Sequence, residues 1–396
     1  MKVYKVGGAV RDELLRIPVT DQDWVVIGST PEELIKLGYR KIGKDFPVFL
    51  HPETQEEYAL GRTERKIGIG YKGFSTFFSP DVTLEEDLAR RDFTINAMAL
   101  EQEGKIIDPF SGQIDLKNKI LRHVTEAFSE DPLRVIRGAR FCAKLDFSVA
   151  PKTMELMRKI ASSGELSTLT KERLWREIQR VLETKHPHRF FEVLEECNAL
   201  APVFPEISTL FECGTLDTPY ARRPLKKHIL DSISAGIKAH LKPTAIFALL
   251  TQYLSKKPYA RTELTPLTDC HEISRFCESL RTPAQYRRTA IILAKISLIS
   301  NADRQSSASA LISLLENTNA YHNPVSFRES LSAHAIEVRL LNREYTAHYL
   351  HPKEILDALE TTAKIDTSEF LAKGLKGHDF AKAIRKARID KLLLTM

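Results

Sequence analysis

The chain has few cysteines and no long apolar segment. Its five cysteines are odd in number, widely scattered and never arranged as CxxC, so the sequence predicts buried, reduced thiols rather than a disulfide framework. The combination nearest to a zinc site, Cys270 and His271 with Cys277, matches no common ligand spacing and lacks a second pair. The longest apolar stretches, such as 244–254, are well short of a bilayer span. We expect neither a zinc site nor a membrane-spanning helix.

The N-terminal segment lacks the features of a secretory signal. MKVYKVGGAVRD is basic, but it has no apolar core and no small-residue cleavage site, so we expect the protein to act in the cytoplasm. The chain carries 58 Lys plus Arg against 52 Asp plus Glu, a formal net charge of +6. This excess favours a polyanionic partner only mildly, because many basic proteins bind no nucleic acid.

Length and periodicity predict an α/β head followed by helical parts. In the head we expect strands at 2–6, 24–27, 58–60 and 105–107 and helices at 9–15 and 31–37. Residues 61–80 contain Gly68, Gly70 and Gly73 among Arg and Lys without periodicity, which predicts a mobile loop. Amphipathic helical patterns dominate after about residue 131. We place a head at 1–125, a helical neck at 126–210, a helical body at 211–325 and a helical tail at 326–396.

Two glycines and two aspartates indicate the chemistry. Gly7 and Gly8 follow a predicted strand and open a helix, and Asp21 with Asp23 begins the next strand. Paired glycines let a nucleoside triphosphate approach the backbone closely, and Arg11 can pair with its phosphates. Alternation along a strand directs both aspartates to one face, where their oxygens can hold Mg²⁺ ions for a two-metal phosphoryl transfer. A short acidic pair by itself is usually a solvated turn, and the preceding glycines are what favour a metal site.

These residues carry a family resemblance. GGAVRD at 7–12 with DQD at 21–23 resembles the signature of polymerase-β-type nucleotidyltransferases. RRDFTINA at 90–97 and EDPLRVIRGARF at 130–141 are similar to motifs of class II, bacterial-type CCA-adding enzymes, a family that includes bacterial poly(A) polymerases. The segment 45–66 most resembles the gamma-proteobacterial CCA-adding branch. The resemblance implies a mixed-sheet nucleotidyltransferase head before an all-α neck, body and tail, and addition of CCA to the tRNA 3′ end from CTP and ATP with Mg²⁺.

The resemblance also implies roles for single residues. Asp131 and Arg134 would present a hydrogen-bonding edge to cytosine or adenine, and G and U would leave that edge unpaired because they offer a carbonyl in place of the amine. The alternative that Asp131, followed by Pro132, only caps a helix stays open. The catalytic and metal-binding residues would be Asp21 and Asp23, and the ATP- or CTP-binding residues would be Gly8, Arg11, Arg91, Asp131, Arg134, Arg137 and Arg140.

Some residues near these motifs are left with two interpretations. Asp92 and Asn96 either hydrogen-bond a turn or lie near the ribose, as the resemblance implies. Glu57 is the candidate for a third catalytic carboxylate, although Glu56 is adjacent. The resemblance further implies that the loop after Arg62 helps to switch specificity from C to A, a movement that its glycines would permit.

After residue 226 the chain departs from the pattern of the gamma-proteobacterial enzymes that it resembles. Such enzymes often continue into a metal-dependent phosphohydrolase domain with a His-Asp dipeptide. Here His228 stands where that domain would begin, but Thr251 and Gln252 occupy the expected dipeptide and cannot replace an imidazole and a carboxylate as metal ligands. We expect no phosphohydrolase activity from this degenerate region.

The C-terminal segment 374–393 places four basic residues on one predicted helix, Lys382, Arg385, Lys386 and Arg388. They form either a solvated face or a contact with the phosphates of a folded RNA. Two alternatives to the leading function remain at this stage. One is a poly(A) polymerase or an enzyme that adds only CC or only A, and the other is a catalytically silent RNA-binding protein.

Overall fold

The structure is a computed structural model. It describes residues 1–19, 22–42, 48–66, 74–218, 221–259, 263–266, 270–299, 308–340, 351–366, 368–372 and 374–395. The chain forms two compact units, the first from residues 1–177 and 189–203 and the second from residues 178–188 and 204–396. The finer division into head, neck, body and tail stays a prediction.

The first unit is built on a mixed sheet. Its strands are β1 (Lys2–Val6), β2 (Asp23–Ile27), β3 (Arg40–Lys41), β4 (Val48–Leu50), β5 (Glu57–Leu60), β6 (Arg62–Lys66), β7 (Phe74–Phe78), β8 (Ala99–Leu100), β9 (Ile106–Ile107), β10 (Ile120–Leu121) and β11 (Ser148–Val149). Seven of them form a sheet in the order β3-β4-β5-β2-β1-β8-β9. β2 and β5 pair in parallel, and the other neighbours in this sheet pair antiparallel.

Helices of the first unit cover the sheet and continue beyond it. They are α1 (Gly8–Leu14), α2 (Pro31–Lys36), α3 (Leu84–Ala89), α4 (Gly112–Lys117), α5 (Leu133–Leu145), α6 (Pro151–Ser162), α7 (Lys171–Val181), α8 (Pro187–Glu196) and α9 (Leu200–Val203), with α7 and α8 extending past the boundary of the unit. Thr30 and Thr83 begin α2 and α3 with capping boxes, in which each threonine accepts from the backbone three residues on. Short 3-10 helices at Thr94–Asn96 and Glu126–Glu130 precede α4 and α5.

Alternation along the strands gives the sheet two buried faces. Val25 packs with Tyr4, Val6 and Leu88 on one face, and Val26 packs with Leu34, Phe49, Tyr58 and Leu60 on the other. Because the side-chain period of a strand is two, the β-branched residues of β2 can serve both cores. The first of these cores joins β2 to β1 and α3.

The second unit is mainly helical. Its helices are α10 (Pro205–Glu212), α11 (Leu225–Lys238), α12 (Pro243–Thr251), α13 (His271–Ser279), α14 (Ala284–Ile299), α15 (Ala308–Asn317), α16 (Pro324–Leu340), α17 (Pro352–Ala363), α18 (Ser368–Ala372) and α19 (Gly377–Leu393). Two antiparallel hairpins accompany them, β12 (Thr215–Thr218) with β13 (Ala221–Pro224) and β14 (Lys256–Tyr259) with β15 (Glu263–Pro266). One core brings together residues of α14, α15, α16, α17 and α19.

Most sequence expectations for the elements are confirmed to within one residue, and two need correction. The predicted loop at 61–80 has paired strands at both ends, with Arg62 opposite Phe78, while residues 67–73 lie outside the described part. The two hairpins of the second unit also interrupt the predicted all-helical remainder. Short strands without alternation escape a periodicity argument because their pairing, rather than their local pattern, stabilises them.

The cysteines and the apolar segments agree with their sequence expectations. All five cysteines are free thiols, and four are buried. Burial raises the pKa of the Cys142 thiol to about 12 and of the Cys197 and Cys277 thiols to about 11, which makes them poor nucleophiles. Among the described helices, none has both the length and the apolarity that a membrane crossing needs.

A polar cluster is buried inside the second unit. Nε2 of His228 lies 2.7 Å from Oε2 of Glu337, and the Tyr253 hydroxyl donates to the same oxygen at 2.9 Å. Burial opposes ionisation of Glu337, but His228 and the neighbouring hydroxyls outweigh burial and lower its pKa to about 2. Burial lowers the pKa of His334, with Glu337 opposing it, to about 4. The native fold therefore keeps His334 neutral at pH values where an unfolded chain would protonate it.

We expect the protein to lose stability as the pH falls from about 6.5 towards 4, because the unfolded state takes up a proton at His334 that the native state refuses. The contribution approaches about 1.4 kcal/mol per pH unit within that window. Urea unfolding followed by circular dichroism at about pH 7.5 and about pH 5 tests this. His334→Gln, which cannot titrate, should show a weaker pH dependence, and an equal dependence in both proteins would contradict the assignment.

Candidate active site

The glycine pair lies against two guanidinium groups. A Cβ atom built on Gly7 would lie 2.7 Å from Nη1 of Arg91, and one built on Gly8 would lie 3.4 Å from Nη2 of Arg11. Gly7 also has a φ of 73°, which disfavours residues with a side chain. The structure thus brings Gly7, Gly8, Arg11 and Arg91 together, and the lack of side chains at the glycines is what admits the arginines.

Arg11 begins a buried chain of polar contacts. Its Nε donates to Oδ1 of Asp12 at 2.8 Å, and its Nη1 donates to Oδ1 of Asn96. Asp12 in turn accepts from Nζ of Lys144 at 2.9 Å. Arg11 is 3% exposed, so these partners offset the cost of burying its charge. Asp12 and Lys144 were not predicted as site residues, since nothing in their spacing links helix α1 to helix α5.

The chain of contacts continues from Asn96 to helix α5. Nδ2 of Asn96 donates to Oδ1 of Asp92 at 2.9 Å, and Oδ2 of Asp92 accepts from Nε of Arg137 at 2.8 Å. Burial opposes ionisation of Asp92, but Arg137 and Asn96 outweigh burial and lower its pKa to about 2. The Asp92 carboxylate correspondingly raises the pKa of Arg137. Asp92 also accepts from the Phe93 backbone at 2.9 Å, so it both forms a local turn and connects two predicted motifs.

Arg91 is held by a carboxylate that sequence reasoning missed. Oδ2 of Asp87 accepts from Nη2 of Arg91 at 3.1 Å, and Oδ1 accepts from Nη2 of Arg90 at 2.8 Å. Burial opposes ionisation of Asp87, but Arg91 and Arg90 outweigh it and lower its pKa. Asp87 also accepts from the backbone N–H of Arg62 at 3.3 Å. One buried carboxylate therefore joins Arg91 to the first residue of β6.

Both residues of the predicted base-selecting pair are held in place. Oδ1 of Asp131 accepts from the backbone N–H of Leu133 at 3.0 Å, the contact expected of a capping residue. Arg134 donates from Nη1 to the carbonyl of Ala127 at 2.7 Å and from Nη2 to that of Arg90 at 2.6 Å. Asp131 thus makes a contact at the start of α5 that is compatible with both of its interpretations, and Arg134 attaches the start of α5 to the end of α3.

Arg137 and Arg140 lie near one aromatic ring. Cζ of Arg140 is 4.2 Å from the centre of the Phe141 ring, and those of Arg11 and Arg137 are 5.1 Å and 5.6 Å away. The negative face of an aromatic ring favours such neighbours. Arg140 also donates to buried Glu177 on α7. Phe141 lies inside the EDPLRVIRGARF motif, so its position in that motif was the available signal, whereas Glu177 had none.

Of the two predicted metal ligands, Asp23 lies within the described residues and Asp21 does not. Asp23 begins β2, and its register partner on parallel β5 is Glu57, so both carboxylates lie on the same side of the sheet. Oε2 of Glu56 instead accepts from Nε1 of Trp24 at 3.1 Å, on the opposite side. The strand register therefore separates the two adjacent glutamates and favours Glu57 as the companion of Asp23.

Thr251 and Gln252, which stand at the degenerate dipeptide of the second unit, have structural partners. Oγ1 of Thr251 donates to the carbonyl of Phe247 at 2.8 Å, and Oε1 of Gln252 accepts from Ser297 at 3.1 Å. Across the described residues, no cluster of three or more His, Cys, Asp or Glu is arranged to hold a metal ion. The absence of phosphohydrolase activity stays a prediction.

The basic C-terminal helix is partly used for packing. Arg385 pairs with Glu316 and donates to Oγ of Ser313 at 2.6 Å. Cζ of Arg388 lies 3.6 Å from the centre of the Tyr321 ring. These contacts hold α19 on α15 and the turn after it. The side chains of Lys382 and Lys386 are exposed, so both interpretations of these two lysines stay open.

Comparisons with known proteins show the family and the fold of the chain. Residues 3–122 match the family described as the poly A polymerase head domain, and residues 146–211 match the probable RNA and SrmB-binding site of polymerase A. Multifunctional CCA proteins of Pseudomonas paraeruginosa and Nitrosococcus oceani are each 42% identical to the chain, over 99% of it and 98% of the relative. A CCA-adding enzyme solved with ATP superposes with a TM-score of 0.67 at 22% identity, covering 99% of this chain and 86% of that one. The Thermotoga maritima CCA-adding enzyme complexed with tRNA gives 0.65 at 22% identity, with 99% and 87% covered.

Head and site together define a nucleotidyltransferase whose mixed sheet precedes a mostly helical remainder. The chain belongs to the family of multifunctional CCA proteins, tRNA nucleotidyltransferases that add CCA to tRNA. Enzymes of this nucleotidyltransferase family generally use a divalent metal ion. The family and the fold class expected from the motifs are confirmed.

We expect Gly7→Ala to lower kcat/KM for CTP incorporation by about tenfold to a hundredfold, because the new methyl group displaces the Arg91 guanidinium. Gly104→Ala is the matched control, since Gly104 also has a positive φ of 86° but no atom within 4 Å of the built Cβ. Both variants should lose some stability from backbone strain. Equal kcat/KM in the two folded variants would show that Arg91 does not act through this contact.

Proposed function

We propose that this protein adds C, C and A in succession to the 3′ end of tRNA, with CTP and ATP as donors and pyrophosphate released, in the cytoplasm. The main support from the site is the connection between its two predicted parts. A buried chain of contacts from Arg11 through Asn96 and Asp92 to Arg137 joins the glycine-containing strand and helix to the helix of the base-selecting motif. The ligands named for structurally similar CCA-adding enzymes support ATP, CTP and tRNA as partners.

Arg11 and Arg91 would bind the triphosphate beside Gly8. Both guanidinium groups lie against the glycine pair, where the backbone presents no side chain to a substrate. Within the described part of the chain, Nε of Arg91 has no acceptor, so Asp87 does not saturate this guanidinium. Buried and prearranged cations stabilise phosphate charge more strongly than solvated ones and need no reorganisation during transfer.

The carboxylates at the start of β2 fit a hard cation. Asp23 and Glu57 supply oxygen donors from neighbouring strands on one side of the sheet, and Mg²⁺ prefers such ligands. We propose that Asp21 and Asp23 hold Mg²⁺, with Glu57 as the third carboxylate. When bound, the ion would favour deprotonation of the attacking 3′ hydroxyl and offset the charge of the leaving pyrophosphate.

Asp131 and Arg134 would select the incoming base in place of a nucleic-acid template, with Arg137 and Arg140 supporting the bound nucleotide. An aspartate acceptor pairs with the exocyclic amine of C or A, and an arginine donor pairs with a ring acceptor. G and U offer a carbonyl where the amine should be, so the aspartate would face another acceptor. Both residues already have anchoring contacts, Asp131 through Leu133 and Arg134 through two backbone carbonyls. Because these contacts fix both side chains, Asp131 and Arg134 can pair with only one pattern of donor and acceptor on the base.

We expect purified protein with Mg²⁺ to extend tRNA lacking its CCA end by three nucleotides and then stop when CTP and ATP are supplied together. CTP alone should give CC, and UTP or GTP alone should give no product. Asp23→Ala serves as the inactive control because it removes a proposed metal ligand. Repeated addition of A would indicate a poly(A) polymerase, CC or A alone a partial enzyme, and no extension an RNA-binding protein without catalysis.

We expect Glu57→Gln to reduce kcat for CTP incorporation by about a hundredfold with little change in KM, because the charge stabilisation it removes is realised in the transition state. Glu56→Gln is the matched control, being adjacent in sequence but on the Trp24 side of the sheet. Single-turnover incorporation at saturating CTP measures both variants. A larger loss for Glu56→Gln than for Glu57→Gln would exclude the third-carboxylate assignment.

A further inference from the structure

Helix α7 contacts the base-selecting segment through one arginine in its first turn. Nη2 of Arg173 lies 2.7 Å from Oδ2 of Asp131 and donates to it. The two residues are 42 positions apart, so the contact arises from the packing of α7 against the start of α5. No proposed step of the nucleotidyl transfer requires Arg173, and its sequence context gave no reason to select it.

The two oxygens of Asp131 have different partners. Oδ1 accepts from the Leu133 backbone at 3.0 Å, and Oδ2 accepts from Arg173. A carboxylate with a donor on each oxygen cannot rotate freely about its last side-chain bond. Each oxygen has about two acceptor positions, so room for a further donor remains. The Asp131 carboxylate is therefore oriented without being saturated.

The pair also lies where a substrate can reach it. The Arg173 and Asp131 side chains are 21% and 24% exposed, unlike the buried pair that Arg140 and Glu177 form further along α7. Because partly exposed ion pairs contribute little to stability, the contact between Arg173 and Asp131 has a larger effect on the orientation of the carboxylate than on the stability of the fold. Glu177, four residues on from Arg173, anchors the same helix to α5 by the buried contact.

We propose that Arg173 is a positioning residue for nucleotide selection, which fixes the Asp131 carboxylate so that it accepts the exocyclic amine of C or A and no other base donor. The inference rests on the proposed function of Asp131. U and G carry a ring N–H next to the carbonyl that replaces the amine, and a carboxylate free to rotate can accept from that N–H instead. An anchored carboxylate cannot make this adjustment, so Arg173 determines how strongly U and G are rejected.

The test compares Arg173→Ala with Arg173→Lys and with Arg176→Ala, an exposed arginine on the same helix that serves as the matched control. For each protein, kcat and KM are measured for CTP and for UTP on tRNA lacking its CCA end, together with the thermal unfolding midpoint. We expect Arg173→Ala to lower the ratio of kcat/KM for CTP over UTP by about tenfold to a hundredfold. The loss should come from a higher KM for CTP and a measurable rate with UTP.

Arg173→Lys should recover part of the ratio, because an ammonium group can still pair with Oδ2 but lacks the planar geometry of guanidinium. Arg176→Ala should match the wild type. An unchanged ratio in Arg173→Ala, with or without a lower unfolding midpoint, would overturn the inference while leaving the proposed function intact. If the wild type adds no nucleotide to tRNA, the proposed function fails and this inference fails with it.

Discussion

Several arginines are buried in the first unit, and each buried guanidinium needs polar partners that other elements of the unit supply. A guanidinium that leaves water without a partner destabilises the fold strongly, and Arg11, Arg134 and Arg140 are each less than a tenth exposed. Their partners come from α1 and the 90–97 segment for Arg11, from backbone carbonyls for Arg134 and from α7 for Arg140. Satisfying these charges therefore aligns the proposed nucleotide site with the sheet and brings α1, α3, α5 and α7 together around it.

The same requirement explains why small and aromatic residues stand beside the charged ones. Gly7 leaves the space that the Arg91 guanidinium fills, and Phe141 offers its ring to the guanidinium groups around it. Neither residue contributes a hydrogen-bonding side chain, but both determine where the cations lie. The pKa of Asp92, lowered to about 2, means that this carboxylate remains ionised throughout the neutral range. The contacts that orient Arg137 are consequently insensitive to moderate changes of pH.

Local patterns in the sequence were sufficient for part of this arrangement. The strand before Gly7 and the capped helices follow from β-branched runs and from Thr-x-x-Glu spacing, which act within a few residues. Asp87 was within reach of such local reasoning, because Arg90 and Arg91 follow it at i,i+3 and i,i+4. Glu177 could not be found in this way, because packing specifies its partner Arg140, 37 positions away. The choice between Glu56 and Glu57 depended on the register of β5 against β2, which shifts every side chain to the other face if it slips by one residue. Pairing within the sheet, and not composition, places Glu57 on the same side as Asp23.

The second unit shows how an ionisable cluster can persist as part of a core. Nε2 of His228 lies 2.7 Å from Oε2 of Glu337, a carboxylate contact that structural histidines make as well as metal-bound ones. Thr251 Oγ1 and Gln252 Oε1 form hydrogen bonds within the protein, and neither residue offers an anionic or imidazole ligand in place of the missing dipeptide. Removing Glu337 would leave a buried imidazole and the Tyr253 hydroxyl without their shared acceptor, and an unsatisfied buried polar group costs about 1–3 kcal/mol. Stability alone is thus a sufficient physical reason for these polar residues to remain in the interior.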